Sequence, residues 1–116
     1  MANTRTEQYL YFNLMVSKLL AYGVERNIPF RLGPAHRTQD EANALAKAGK
    51  GIKNSKHIYS LAIDLWITDG VKILWESPHY KTLGEYWVEM GGVHGSSFKQ
   101  YKDIYHFELA EKPALK

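Results

Sequence analysis

The segment Leu61-Ala62-Ile63-Asp64-Leu65-Trp66-Ile67 sets a carboxylate in the middle of an otherwise apolar run. A run of this length, followed by the turn signal Asp69-Gly70, reads as a buried strand. An ionised carboxylate buried without a partner is strongly unfavourable. Any fold of this chain must therefore bring a donor or a cation to Asp64. Alternate residues of a strand share a face. Leu61, Ile63, Leu65 and Ile67 are expected to face the core, with Ala62, Asp64 and Trp66 on the other side. Ala62 is small and leaves room beside Asp64.

Around this strand the chain reads as one small α+β domain over residues 1–116, an antiparallel β-sheet flanked by helices. Thr4 or Thr6 caps a first helix that runs to about residue 26, with Leu10, Leu14, Val16, Leu19 and Leu20 on its apolar face. A short strand follows over 28–32 and stops at Gly33-Pro34. Thr38, with Glu41 in capping-box spacing, starts a second helix that reaches Gly49. Residues 49–57 form an exposed loop. After the Asp69-Gly70 turn, residues 71–75 return as a strand. Pro78 introduces a third helix over about 80–90, ended by Gly91-Gly92. A loop then leads to a last strand over 105–109. Trp66, Trp75 and Trp87 are expected in the core.

Composition removes several classes of function. The chain has no cysteine, so disulfides are excluded and any metal site must use His, Asp or Glu. No segment approaches the roughly 18 apolar residues that span a bilayer, so no membrane insertion is expected. Residues 1–8 lack the features of a signal peptide, and synthesis in the cytoplasm is expected. The net charge of +3 is mildly basic and suits an anionic partner such as a cell-wall polymer. Lys47, Lys50, Lys53 and Lys56 make the 47–56 segment basic, fit to assist encounter with anionic material; no P-loop spacing is present. A nucleic-acid role would rest on this charge alone, and none is expected.

Two short clusters carry chemistry. His57 precedes Asp64 by seven residues, in the loop that feeds the strand. In the final strand His106 and Glu108 share one face, Phe107 and Leu109 the other, and Asp103 sits just before it. His57, Asp64 and His106 would give a zinc ion three protein ligands and leave one position open, as catalytic sites do. The alternative is that His57 is an exposed loop residue and that Asp64 pairs with Arg37 or a lysine. Glu108 either partners a histidine or is exposed. His94 and Ser96, in the loop before Asp103, are expected to line the cleft, whereas His36 and His79 lack a partner pattern.

Taken in order, Ser55-x-His57-x6-Asp64 and then Asp103-x2-His106-Phe107-Glu108 resembles the motif of the LAS zinc metallopeptidases, the M15 family. That family includes D-Ala-D-Ala carboxypeptidases, VanX- and VanY-like enzymes and phage L-alanyl-D-glutamate endolysins. Ser55, His57, Ala62 and Asp64 match its first motif. Ser60 stands where Gly is usual, and Tyr105 where Pro is common. Arg37-Thr38 resembles the arginine before the family's second helix. The match covers about residues 30–110.

The resemblance implies a Hedgehog/DD-peptidase-like fold and one zinc per chain, held by His57, Asp64 and His106. It implies Asp103 as the catalytic acid/base and Arg37 as the group that steadies the scissile carbonyl oxygen, with Arg37, Ser55 and His94 meeting substrate. The activity it implies is hydrolysis of the peptidoglycan stem peptide, endolysin-like, at the L-alanyl-D-glutamate bond. A monomer of this kind would act on the wall after release through a permeabilised membrane. The rival readings are a D-Ala-D-Ala carboxypeptidase or dipeptidase, and a non-catalytic zinc-containing wall-binding module on the same fold.

Overall fold

The computed structural model of the chain describes residues 4–33, 40, 43–44, 47, 61–99 and 102–110. The first element is helix α1, Arg5–Glu25. Thr4 caps it: its hydroxyl oxygen accepts the Glu7 N–H at 3.2 Å, and its hydroxyl donates to the Glu7 carboxylate at 2.7 Å. A cap of this kind contributes about 1 kcal/mol. The helix stops where Asn27 turns left-handed, φ 56°, and the Ile28 N–H closes back on the Gly23 carbonyl. Phe12, Met15, Leu19 and Gly23 form its buried stripe. Leu10 and Leu14, expected on that stripe, are exposed. Apolar residues lie almost all round α1 over residues 9–16, so spacing alone does not select the inner face.

Among the described residues four antiparallel strands follow, β1 (Phe30–Leu32), β2 (Ala62–Ile67), β3 (Val93–His94) and β4 (His106–Glu108), in the order β1-β2-β4-β3. With the helices, they make an α+β fold. β2 is central, with Leu32 opposite Leu65 on one side and Ile63 opposite Phe107 on the other. Ile63, Leu65, Ile67, Phe107 and Leu109 are buried on one side of the sheet, against the helices. Ala62 and Asp64 on the reverse side are buried as well.

Helix α2, Pro78–Glu89, packs on the apolar side. Ser77 caps it and Pro78 fills a first-turn position, where no N–H is needed. Tyr80, Leu83, Gly84 and Trp87 recur at helical spacing and are buried. Trp87 Nε1–H donates to the Glu108 carbonyl at 2.9 Å, and Tyr80 Oη accepts the Ile67 N–H while donating to the Leu74 carbonyl. Full burial of side chains such as Leu65, Leu83 and Phe107 contributes about 1.5–3 kcal/mol each.

Three expectations need correction or restriction. Residues 71–75 do not form a strand. The Asp69 carboxylate accepts the Val71 and Lys72 N–H groups, both at 2.9 Å, so these donors are lost to a ladder and only the bridge Thr68–Ile73 remains. The expected loop before Asp103 contains β3 and a 3-10 turn, Gly95–Ser97. Of the expected second helix, Asp40, Asn43, Ala44 and Lys47 are helical; its remaining residues and the 48–60 segment lie outside the described residues. Among the described residues, no helix is long and apolar enough to cross a membrane.

Candidate metal centre

The register of β2 against β4 answers the question raised by Asp64. Asp64 and His106 are Cα partners, so both side chains leave the sheet on the same face, the one turned away from the helices. Asp64 is 8% exposed and His106 4%. Asp64 Oδ1 lies 3.6 Å from His106 Nδ1, and Glu108 Oε1 lies 2.7 Å from His106 Nε2. Of the three tryptophans, only Trp87 is fully buried; Trp66 is half-buried and Trp75 is exposed.

Asp103 is delivered by the turn before β4. Its backbone N–H donates to the Gly95 carbonyl at 3.0 Å, and its Oδ1 accepts the Tyr105 N–H at 3.1 Å. Gly95 is required there, because an added Cβ would collide with the Asp103 carbonyl oxygen. On the other side of Asp64 the Gly33 N–H donates to its carbonyl at 2.7 Å, and a Cβ on Gly33 would crowd the Asp64 side chain. One ligand atom each from Asp64, Asp103 and His106 lies within 4.8 Å of the others.

The donor chemistry fits a divalent cation. Glu108 is a carboxylate acceptor, so His106 Nε2 carries the hydrogen and Nδ1 is the nitrogen that faces Asp64. A ligating histidine held by a carboxylate on its far nitrogen is the usual support of a metal site. Burial opposes a positive charge on His106, but its hydrogen bonds to Asp64 and Glu108, and their charges, outweigh burial and raise its pKa to about 9. The pocket thus draws positive charge to Nδ1, where a proton and a metal ion exclude one another.

Of the residues singled out in the sequence, Asp64, Asp103 and His106 come together, and Glu108 joins them as the partner of His106. Arg37, Ser55 and His57 lie outside the described residues, as do His36 and Lys50, Lys53 and Lys56. His94, expected at the substrate cleft, is the Cα partner of Phe107 and so lies on the helix side of the sheet, opposite to Asp64 and His106. It is 3% exposed and sits against Gly84. Its Nε2–H donates to the Ile104 carbonyl at 2.7 Å, which leaves Nδ1 to accept from the Ser96 hydroxyl at 2.7 Å. His94 and Ser96 do line a cleft of about 600 Å³, but a separate one, walled by Tyr80, Gly84 and Val88 of α2. His79 lies in the first turn of α2. Sequence reasoning missed the role of Gly95, because its constraint is a contact with the separate turn that bears Asp103 and no local pattern encodes it.

No protein-family model and no curated protein matches the chain. The fold is similar to that of the crystal structure of the Serratia marcescens L-Ala D-Glu endopeptidase ChiX, with a TM-score of 0.67 and 22% sequence identity, covering 85% of this chain and 77% of that one. At this identity the likeness is one of fold.

Proposed function

We propose that this chain is a zinc-dependent hydrolase of the peptidoglycan stem peptide, endolysin-like, with the L-alanyl-D-glutamate bond as its target. The observation that carries the reading is the convergence of Asp64, Asp103 and His106 on the face turned away from the helices, in a fold shared with an L-Ala D-Glu endopeptidase. Such a chain meets its substrate in the cell wall, outside the membrane.

In this reading His57, Asp64 and His106 hold the zinc. Bound zinc supplies a Lewis acid that acidifies water and polarises a carbonyl. Glu108 keeps the hydrogen on His106 Nε2 and so leaves Nδ1 turned to the site. Asp103 takes a proton from the attacking water and delivers it to the departing amine as the C–N bond breaks. Its carboxylate is already oriented by the Tyr105 N–H. Arg37, permanently charged, steadies the carbonyl oxygen as negative charge develops there, and Ser55 contributes to substrate binding.

Digestion of purified peptidoglycan with and without zinc, followed by mass spectrometry of the fragments, tests the proposal. New L-alanine C-termini and D-glutamate N-termini, lost on chelation, are expected. Release of terminal D-alanine would instead identify a D,D-carboxypeptidase, and binding to the wall with no fragments a non-catalytic module. Cleavage that survives full chelation would overturn the zinc assignment.

A further inference from the structure

We propose that the trough beside the metal centre, lined by Arg31, Lys72 and Trp75, is a subsite for a free carboxylate of the stem peptide. This rests on the peptidoglycan reading above. The trough has a volume of about 800 Å³ and lies between β1 and the turn that follows β2. Two cations, Arg31 and Lys72, line it against one carboxylate, Glu76. All three are exposed; the Asp69 carboxylate acts on Lys72 from the neighbouring turn, and among the described residues neither Arg31 nor Glu76 is in an ion pair.

Its position follows from the register. Arg31 is the Cα partner of Trp66, so the two share a face, and Trp66 shares that face with Asp64 two residues away. Two residues along a strand is about 7 Å and one strand across is about 5 Å, so the Arg31 backbone stands about 8 Å from that of Asp64. An extended peptide cut at the metal centre advances about 3.3 Å per residue and reaches the trough within two or three residues of the scissile bond. The glutamate that follows the proposed scissile bond has two carboxyl groups and can spend only one on the next peptide link, so a free carboxylate stands within that reach. A guanidinium receives a carboxylate through paired hydrogen bonds.

Trp75 supplies the trough with an apolar wall. It is 51% exposed, yet it is held in place: its ring packs edge-on to Trp66 at 6.4 Å and to Tyr105 at 5.3 Å. The Tyr105 hydroxyl donates to the Trp75 carbonyl at 2.9 Å, and the Tyr105 N–H donates to Asp103. A rigid, half-exposed tryptophan tied to the turn that bears Asp103 is suited to receive the aliphatic part of the same ligand.

Calorimetric titration of the zinc-loaded, full-length Asp103→Asn protein tests the subsite without cleavage. The probes are a soluble disaccharide-tripeptide fragment and the same fragment with its carboxylates amidated. The free acid is expected to bind about tenfold more tightly. The Arg31→Ala/Lys72→Ala variant should lose that preference and bind both probes alike, Arg31→Lys should retain most of it, and Trp75→Ala should weaken both probes equally. An Arg31→Ala/Lys72→Ala protein that still prefers the free acid would overturn the proposal, as would a starting protein that binds the two probes alike. Retained preference for the free acid in a protein whose parent never cleaves peptidoglycan would remove the peptidase reading and leave the subsite. Loss seen only with teichoic-acid-bearing walls, and not with the soluble fragment, would assign the trough to phosphate and overturn the carboxylate assignment.

Discussion

Asp64 and His106 stand directly opposite each other across the β2–β4 ladder, with Oδ1 3.6 Å from Nδ1. Their pairing places a carboxylate oxygen and the imidazole Nδ1 at one point, and Glu108 fixes which nitrogen that is. A buried pocket that holds three carboxylates around one imidazole needs positive charge to be stable.

A bound zinc would supply that charge. The zinc-loaded protein is expected to melt at a higher temperature than the chelated one, since a ligand held only by the folded state adds stability by mass action. His106→Ala should carry far less zinc than the parent. Calorimetric melting and metal analysis on dialysed samples check both; full zinc occupancy in His106→Ala would remove His106 from the ligand set.

Glu108 acts on the centre through His106. Glu108→Ala removes the acceptor of the Nε2–H and should weaken zinc affinity about 10–100-fold, the usual consequence of losing such a partner. Glu108→Gln keeps an oxygen in reach of Nε2 and loses only the charge, so its affinity should fall between the two. Competition against a chromophoric chelator ranks the three proteins. Equal affinity in Glu108→Ala would make the 2.7 Å bond a bystander.

How much of this was legible in the sequence depended on whether local chemistry had competitors. The alternation in 61–67 identified β2, and the inward set Leu61, Ile63, Leu65 and Ile67 is buried as expected. The opposition of Asp64 and His106 was legible only as a possibility, because register is a pairing between distant segments and no spacing within either one encodes it. Apolar patterning suggests a return strand at 71–75, but one carboxylate, Asp69, captures two backbone donors that such patterning cannot see. β3 spans two residues, too few for any periodicity to register. Residue type alone places Trp75 in the core, whereas its neighbours Trp66 and Tyr105 hold it at the surface.

His94 makes part of the stability depend on pH. Burial holds its pKa below the usual 6.5, with the Ile104 carbonyl acting in the opposite direction and the nearby His106 adding to the depression. The unfolded chain therefore binds more protons than the folded one between the depressed value and 6.5. Stability from this group is fully present above pH 6.5 and is lost as pH falls through the folded-state value. Lys81, Glu85 and Glu89 line the same cleft and are common to parent and variant. In urea unfolding from pH 7 down to pH 5, His94→Gln, which offers an amide donor to Ile104 and does not titrate, should lose less stability than the parent. Parallel curves for the two proteins would show that His94 carries none of the acid sensitivity.

Asp103 decides between an enzyme and a binding module. Its backbone is anchored through Gly95 and its Oδ1 through the Tyr105 N–H, so the carboxylate is presented in one orientation before any substrate arrives. An asparagine at this position keeps an Oδ1 that accepts the Tyr105 N–H, so Asp103→Asn preserves the turn. What it removes is the capacity to take a proton and return it. Positioned acid–base catalysis contributes on the order of 10²–10⁴-fold. Turnover of peptidoglycan by Asp103→Asn should therefore fall at least about 100-fold, the lower bound of that range, with zinc content and melting temperature close to the parent's. A large loss of zinc in the same variant would instead place Asp103 among the ligands, as its approach to within 4.8 Å of Asp64 and His106 permits. A folded, zinc-loaded Asp103→Asn protein that cuts at the parent rate would deny Asp103 any part in the chemistry.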